Sequence, residues 1–334
     1  MGNSMKTIAV LTSGGDAPGM NAAIRGVYSR AKELGYRVLG IRDGYAGLLK
    51  DTEETIFELQ FIDVEDIIPL GGTILGTARC LEFKELEVQK KAAEICRKHG
   101  ITAVVVIGGD GSFQGALRLH EQGIGMIGIP GTIDLDIGCT EYTLGFDSAV
   151  NSAMRMIDQI EDTSKAHHCY SVVEVMGRHT GYIAVNCGIA NSARKILIPE
   201  EEGARERLIE ELREDVKRPN CHYGTIVVAE GAAKAGDIAK EIEEKLKDIK
   251  PDIHARVNVL GFLQRGGSPT CKDRVYGCEM GVFAVNLIEE EKTCHVVAVK
   301  NDRMEAIEIE EALQETRNFP KNMSLLGKTI SMRF

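Results

Sequence analysis

The chain has no tryptophan, no Cys-x-x-Cys pair, no surplus of basic charge and no apolar run near the ~20 residues that a membrane helix requires. Each absence removes a class of function. The missing apolar run excludes a membrane-spanning helix. With 40 Lys and Arg against 50 Asp and Glu, the net charge of -10 argues against nucleic acid and membrane surfaces as partners, since both are bound through a basic face that displaces counterions. Any anion site must then be local. The nine cysteines are scattered from Cys80 to Cys294, which fits reduced thiols in a cytoplasm. The start Met1-Gly2-Asn3-Ser4-Met5 lacks the apolar core of a secretion signal, and its first four residues read as a cloning scar.

What is present describes a globular protein: 334 residues, 43% hydrophobic and 27% charged, long enough for two lobes. Short Val/Ile-rich runs alternate with longer amphipathic ones, beginning with a strand Lys6 to Leu11 and a helix from about Asn21 to Leu34. Further strands are expected at Arg37 to Ile41, Ala103 to Ile107, Met126 to Ile129, Ser171 to Val175, Lys195 to Ile198, Thr225 to Ala229, Arg256 to Leu260 and His295 to Val299. This rhythm predicts an α/β protein with mostly parallel strands covered on both faces. From Phe146 the residues Ala149, Val150, Ala153, Met156, Ile157 and Ile160 recur at helical spacing, so a long helix is expected to leave one lobe and enter the other. Ala204 to Arg218 and Asp237 to Asp248 carry opposite charges three or four apart and read as solvated helix faces.

Three short stretches carry the chemistry. Thr12-Ser13-Gly14-Gly15-Asp16-Ala17-Pro18-Gly19-Met20-Asn21 is a Gly-rich turn between strand and helix, whose backbone N–H groups can face an anion. It is neither a Walker A loop nor a GxGxxG fingerprint, and alone it also reads as a tight turn. Gly108-Gly109-Asp110-Gly111-Ser112 repeats that layout and adds a carboxylate suited to Mg²⁺, although an Asp at such a turn also serves as a helix N-cap. Gly111 matters because a side chain there would occupy nucleotide space. In Pro130-Gly131-Thr132-Ile133-Asp134-Leu135-Asp136, the residues Thr132, Asp134 and Asp136 fall two apart and, in extended backbone, project to one side. Asp134 is assigned as the base that takes the proton of an attacking hydroxyl, with Asp136 as its partner near metal and substrate.

Arg79, Arg178 and Arg265 each stand beside a glycine turn or at a strand end, where a guanidinium neutralises phosphoryl oxygens. The cluster His167-His168-Cys169, with His179 nearby, has the wrong spacing for a zinc site and reads as a structural loop. Together these features describe a phosphoryl-transfer kit.

From Lys6 to about Ala312 the chain is similar to the ATP-dependent bacterial phosphofructokinases. The stretches that carry the resemblance are TSGGDAPGMNAAIRG, GGTILGTAR, GGDGS, PGTIDLDI, SVVEVMGR, VVAEG and VLGFLQRGGSP. The resemblance implies two Rossmann-like three-layer lobes, an ATP lobe of 1–145 plus about 264–313 and a sugar lobe of about 146–263 plus 314–334. It implies a homotetramer or a dimer, and transfer of the ATP γ-phosphate to the 1-hydroxyl of fructose 6-phosphate. It places Gly15, Tyr45, Arg79, Cys80, Gly109, Asp110, Gly111 and Ser112 at the nucleotide, with Asp110 on Mg²⁺. Asp134 matches the catalytic base, and Thr132, Ile133, Asp136, Met176, Gly177, Arg178, Glu230 and Arg265 the surroundings of sugar and phosphoryl group. Arg256 matches a 6-phosphate ligand that reaches across a subunit interface. Glycine at 111 and 131 implies ATP rather than pyrophosphate.

Departures set further expectations. Cys169 and Phe262 replace an Arg and a His that grip the 6-phosphate in the family. At roughly 1.5–3 kcal/mol per charge-assisted hydrogen bond, their loss weakens fructose 6-phosphate binding by about 3–6 kcal/mol, on the order of a hundred- to ten-thousandfold. A different sugar, polyol or sugar phosphate is therefore an alternative acceptor, and a non-catalytic binding subunit is a third reading. In the family's basic effector pocket Arg25 is retained, but Ser29, Glu161, Pro219 and Cys221 replace basic residues and Arg194 replaces an acid, so regulation by ADP or phosphoenolpyruvate is not expected. Leu135 stands where the family has Asn.

Overall fold

A computed structural model describes residues 5–218 and 223–331. The chain forms two compact units, one of 1–133, 137–148 and 265–317, the other of 134–136, 149–264 and 318–334.

The strands are β1 (Thr7–Thr12), β2 (Arg37–Ile41), β3 (Ile56–Glu58), β4 (Ile101–Gly108), β5 (Gly125–Pro130), β6 (Tyr170–Val175), β7 (Lys195–Leu197), β8 (Thr225–Ala229), β9 (Ala255–Val259), β10 (His295–Lys300) and β11 (Arg303–Glu308). In the first unit seven of them form one sheet, ordered β11-β10-β5-β4-β1-β2-β3. Its interior is parallel, and the two edges pair antiparallel, β2 with β3 and β10 with β11. The sheet is thus mostly parallel, as expected, with the two added edge strands as the exceptions. The β10–β11 hairpin turns on Asn301 and Asp302, both at positive φ, the mirror-image two-residue turn that matches strand twist.

The β1, β4 and β5 strands are almost wholly buried and mostly apolar because helices cover them on both faces, and the core gathers Leu11, Val104, Phe113, Met126 and Val296. Helices Met20–Glu33 and Cys271–Glu289 pack through glycine. A Cβ at Gly26 would lie 2.3 Å from the Cys278 carbonyl oxygen, and one at Gly281 would lie 2.3 Å from that of Ala23. Backbone contacts this close cannot relax by a rotamer change, so Gly281→Ala is expected to cost about 3 kcal/mol, read as a fall in urea midpoint at unchanged slope.

The second unit holds a four-stranded, all-parallel sheet, ordered β7-β8-β6-β9, over its own core of Tyr170, Val172, Leu208, Leu212, Ile226, Val228 and Ile242. Here one expectation fails. β9 is an edge strand that leaves Arg256, Val257 and Val259 exposed rather than covered on both faces. The charged helices Ala204–Val216 and Ala235–Leu246 are not merely solvated, since Arg205 meets Glu241 at 2.7 Å and Arg213 reaches Asp248, just past the second helix, at 2.7 Å. Among the described residues, no helix is long and apolar enough to cross a membrane.

Candidate active site

In the first unit, three chemistry-bearing loops leave the carboxyl ends of neighbouring parallel strands. After β1 the chain continues to β2 on one side, and β4 returns on the other, so the loops after β1 and β4 flank the point where the strand order reverses. Open α/β sheets bind ligands at such points. The loops are fastened there: Ser13 N–H donates to the Ile107 carbonyl at 3.0 Å, and Gly131 N–H donates to that of Gly108 at 2.9 Å. At Gly108 a Cβ would fall 2.4 Å from the Ser13 carbonyl oxygen, so only glycine lets the two loops approach.

Gly109 is the N-cap of helix Asp110–His120 and Asp110 its first residue, so Asp110 does not act as the cap. The carboxylate is exposed at a helix N-terminus, while Ser112 behind it is buried. A Cβ at Gly109 or Gly111 would meet nothing within 4 Å, which leaves this end of the helix open for a phosphate chain. Gly131 differs, because a Cβ there would press on Met20 at 3.0 Å and Ile107 at 3.1 Å. Among the described residues no three His, Cys, Asp or Glu side chains form a metal cluster. Mg²⁺ is commonly held by one or two carboxylates plus substrate phosphates, and Asp110 offers one such oxygen at the exposed helix start.

Tyr45 is buried at 4% exposure, its ring 4.3 Å from that of Phe83 and its hydroxyl donating to the Ser112 carbonyl at 2.8 Å. It therefore props the helix start rather than presenting an open ring, and burial pushes its phenol far up. Arg79 is exposed at the end of the loop that begins at Gly71. Asn21, buried at 1%, anchors that loop by donating to the Leu70 carbonyl at 3.2 Å and accepting from Ile74 N–H at 2.8 Å. Thr77 donates to the Gly14 carbonyl at 2.7 Å. Cys80 is half-buried, its thiol raised first by that burial. Arg265 lies beside the Gly-rich turn, 3.9 Å from Asp16, in the space a Cβ on Gly15 would take. Thr132 is half-buried and its carbonyl accepts from Thr143 at 2.7 Å, whereas Ile133 is a core side chain.

The second unit carries Asp134, Asp136, Met176, Gly177, Arg178, Glu230 and Arg256. The expectation of extended backbone through Thr132, Asp134 and Asp136 is overturned. Ile133 and Asp134 form a turn and Leu135 takes φ 53, so the two-residue alternation breaks and does not align the three side chains. Asp134 is buried at 8% exposure and Asp136 is half-buried.

Leucine in the left-handed region costs about 1–2 kcal/mol, whereas burying its side chain contributes about 1.5–3 kcal/mol. Leu135 is 6% exposed, so burial offsets the strain. Asparagine would relieve the backbone but lose the packing, and alanine would lose the packing without relief. Leu135→Ala is thus expected to destabilise more than Leu135→Asn, by about 1 kcal/mol in denaturant titrations.

Past β6, Gly177 (φ 135) and Arg178 (φ 53) form a turn closed by Thr180 N–H donating to the Gly177 carbonyl at 2.8 Å. Arg178 is exposed, and its N–H donates to Glu230 Oε1 at 2.8 Å, so Glu230 fixes this turn from the end of β8. The Thr180 hydroxyl lies 2.8 Å from the Asp134 carbonyl oxygen and thereby links the Asp134 and Arg178 segments. Met176 N–H donates to Oε1 of the fully buried Gln264 at 3.3 Å. Arg256 stands apart on β9, opposite Ser171 of β6. Of the two departures, Cys169 is 5% exposed and Phe262 is 78% exposed. Thr180 escaped the sequence reading, and Asn21 and Gln264, although inside the quoted stretches, were given no role there; their local signal was a polar residue beside a glycine turn.

At the expected effector positions, Arg194 is buried and paired with Asp215 at 2.9 Å, and Glu161 pairs with Lys165 at 2.9 Å. A cavity of about 770 Å³ there is lined by Asp158, Glu161 and Asp162 together with Lys165, His168 and Arg194, so its charge is mixed. Pro219 and Cys221 lie outside the described residues.

Residues 7–288 match the family model described as phosphofructokinase. The chain is 49% identical over 327 residues to an ATP-dependent 6-phosphofructokinase of Clostridium tetani and 47% identical over 329 residues to one of a Thermoanaerobacter species, in each case covering 98% of this chain and all of the relative. The structure of phosphofructokinase from Saccharomyces cerevisiae superposes with a TM-score of 0.83 at 32% identity, across 98% of this chain and 46% of the longer yeast chain. On its sequence and its fold alike, the chain belongs to the phosphofructokinase family.

Proposed function

We propose that the chain is an ATP-dependent 6-phosphofructokinase, transferring the γ-phosphoryl group of ATP to the 1-hydroxyl of fructose 6-phosphate. The observation that carries the reading is the retention of Asp134 and Arg178 on one hydrogen-bonded framework, through Thr180, in a chain alike over its whole length to enzymes of that name. A pure binder has no need of a general base, the role that the buried carboxylate of Asp134 suits.

In this reading the backbone N–H groups of Gly15 and of Gly109 to Gly111 cradle the nucleotide phosphates, with Ser112 lining the site behind them, Arg79 and Cys80 at its border and Tyr45 beneath. Asp110 would hold Mg²⁺, which when bound neutralises charge on the phosphate oxygens. Asp134 takes the proton from the attacking hydroxyl, and Asp136 and Thr132 orient that hydroxyl. Arg178 and Arg265 balance charge on the transferred group. Met176, Gly177 and Glu230 shape the sugar pocket. The exposed edge of β9, with Val257 at 47% and Val259 at 61%, together with Leu263 just beyond it at 65%, favours self-association, in keeping with Arg256 serving a neighbouring subunit in a homotetramer. Unpaired thiols at the described cysteines are consistent with a cytoplasmic setting.

A second reading rests on Cys169 and Phe262, neither of which can hold a phosphate by charge: the acceptor is a different sugar, polyol or sugar phosphate. An acceptor screen coupled to ADP release separates the two. Fructose 6-phosphate giving the highest kcat/KM supports the first reading. A neutral sugar or polyol exceeding it supports the second, and ADP release with no acceptor dependence defeats both.

A further inference from the structure

Leu135 and Arg178 are two non-glycine residues at φ 53, and each follows a chemistry-bearing or glycine position: Leu135 follows Asp134, and Arg178 follows Gly177. Left-handed backbone at such residues persists only where surrounding contacts hold it. One side chain contacts both. The Thr180 hydroxyl lies 2.8 Å from the Asp134 carbonyl oxygen and 3.0 Å from that of Gly177. Those carbonyls belong to the two peptide units immediately before Leu135 and Arg178, so the contact falls where each strained φ begins.

We infer that Thr180 is a positioning residue for phosphoryl transfer: its hydroxyl pins the Asp134 and Arg178 turns to each other, holding base and guanidinium in register. The inference rests on the proposed role of Asp134. A single hydroxyl proton shared between two carbonyls is a weak pair of bonds in water, but Thr180 is half-buried and the Asp134 turn is buried. Glu230, at 2.8 Å from Arg178 N–H, secures one side of the Arg178 turn, while Thr180 closes the other through its own N–H. Removing the hydroxyl takes a donor from the Asp134 carbonyl, whereas the Gly177 carbonyl keeps the Thr180 N–H and the Arg178 N–H keeps Glu230. A displacement of about 1 Å at a reacting group costs on the order of a hundredfold in rate.

The test is steady-state kinetics of Thr180→Val, Thr180→Ala and Thr180→Ser with ATP and the best acceptor, beside thermal melts. Thr180→Val is expected to lower kcat about ten- to a hundredfold with KM for ATP within about threefold, and Thr180→Ser to stay within about threefold of the parent enzyme. In a Leu135→Asn background, where the backbone needs less holding, the same valine change should cost at most about a third as much in kcat. Thr180→Val retaining kcat within threefold overturns the inference, as does Thr180→Ser failing to restore it. If the valine variant does not fold, Thr180→Ala is held to the same criterion. Asp134→Asn, measured in parallel, separates the failures: an active Asp134→Asn sinks the functional reading, whereas an inactive one beside active Thr180 variants sinks this inference alone.

Discussion

Asp134→Asn is expected to lower kcat by about a hundred- to ten-thousandfold while ATP binding stays within about threefold. Asparagine is nearly isosteric with aspartate and keeps the turn at Ile133 and Asp134, so the fold around it is preserved. The carbonyl that accepts from Thr180 belongs to the backbone and survives the change. What the variant loses is the ability to take a proton from the acceptor hydroxyl. Nucleotide contacts, proposed at Gly15 and at Gly109 to Ser112 in the other unit, are untouched. The decisive comparison sets turnover against nucleotide affinity measured by calorimetry. Loss of both together would mean that Asp134 supports the structure rather than the chemistry, and full turnover would mean that another group is the base.

The second large effect concerns the acceptor. With cysteine at 169 and phenylalanine at 262, KM for fructose 6-phosphate is expected to lie on the order of a hundredfold or more above that of a phosphofructokinase with the complete basic trio, because two charge-assisted hydrogen bonds are absent. The two positions differ in how they can be tested. Phe262 is 78% exposed, so histidine there changes little packing, and Phe262→His should lower KM for fructose 6-phosphate about tenfold at unchanged kcat. Cys169 is 5% exposed and directly precedes β6, so an arginine there must carry its guanidinium out of the core, and the single variant is expected to lose stability before it gains affinity. A parent enzyme that already saturates with fructose 6-phosphate at micromolar concentration would show that another group supplies the missing charge.

The parallel core was legible because Val/Ile runs such as Ala103 to Ile107 are the chemical consequence of burial on both faces. The elements that escaped are those for which that logic does not hold. β11 is mostly exposed or half-buried, with only Ile307 buried, and pairs antiparallel, although Asn301-Asp302 was an available hairpin signal. β9 carries apolar residues at alternate positions yet lies at an edge with Val257 and Val259 exposed, since periodicity cannot tell a covered face from one that another surface would cover. Within the site, the glycine loops and carboxylates were legible as residues, but the shape of 132–136 was not. A leucine at φ 53 gives no sign of a left-handed backbone, where glycine or asparagine would have given one. Thr180 and Asn21 were hidden for a different reason: each acts on a partner about fifty residues away, and local pattern carries no trace of that.

The most direct test of the account is phosphorus NMR of the purified chain with ATP, Mg²⁺ and fructose 6-phosphate. The account predicts a second sugar phosphomonoester resonance growing in step with ADP, and its absence when Asp134→Asn replaces the parent enzyme. ATP left intact with every sugar and polyol tried, or ADP appearing with inorganic phosphate alone, would contradict it.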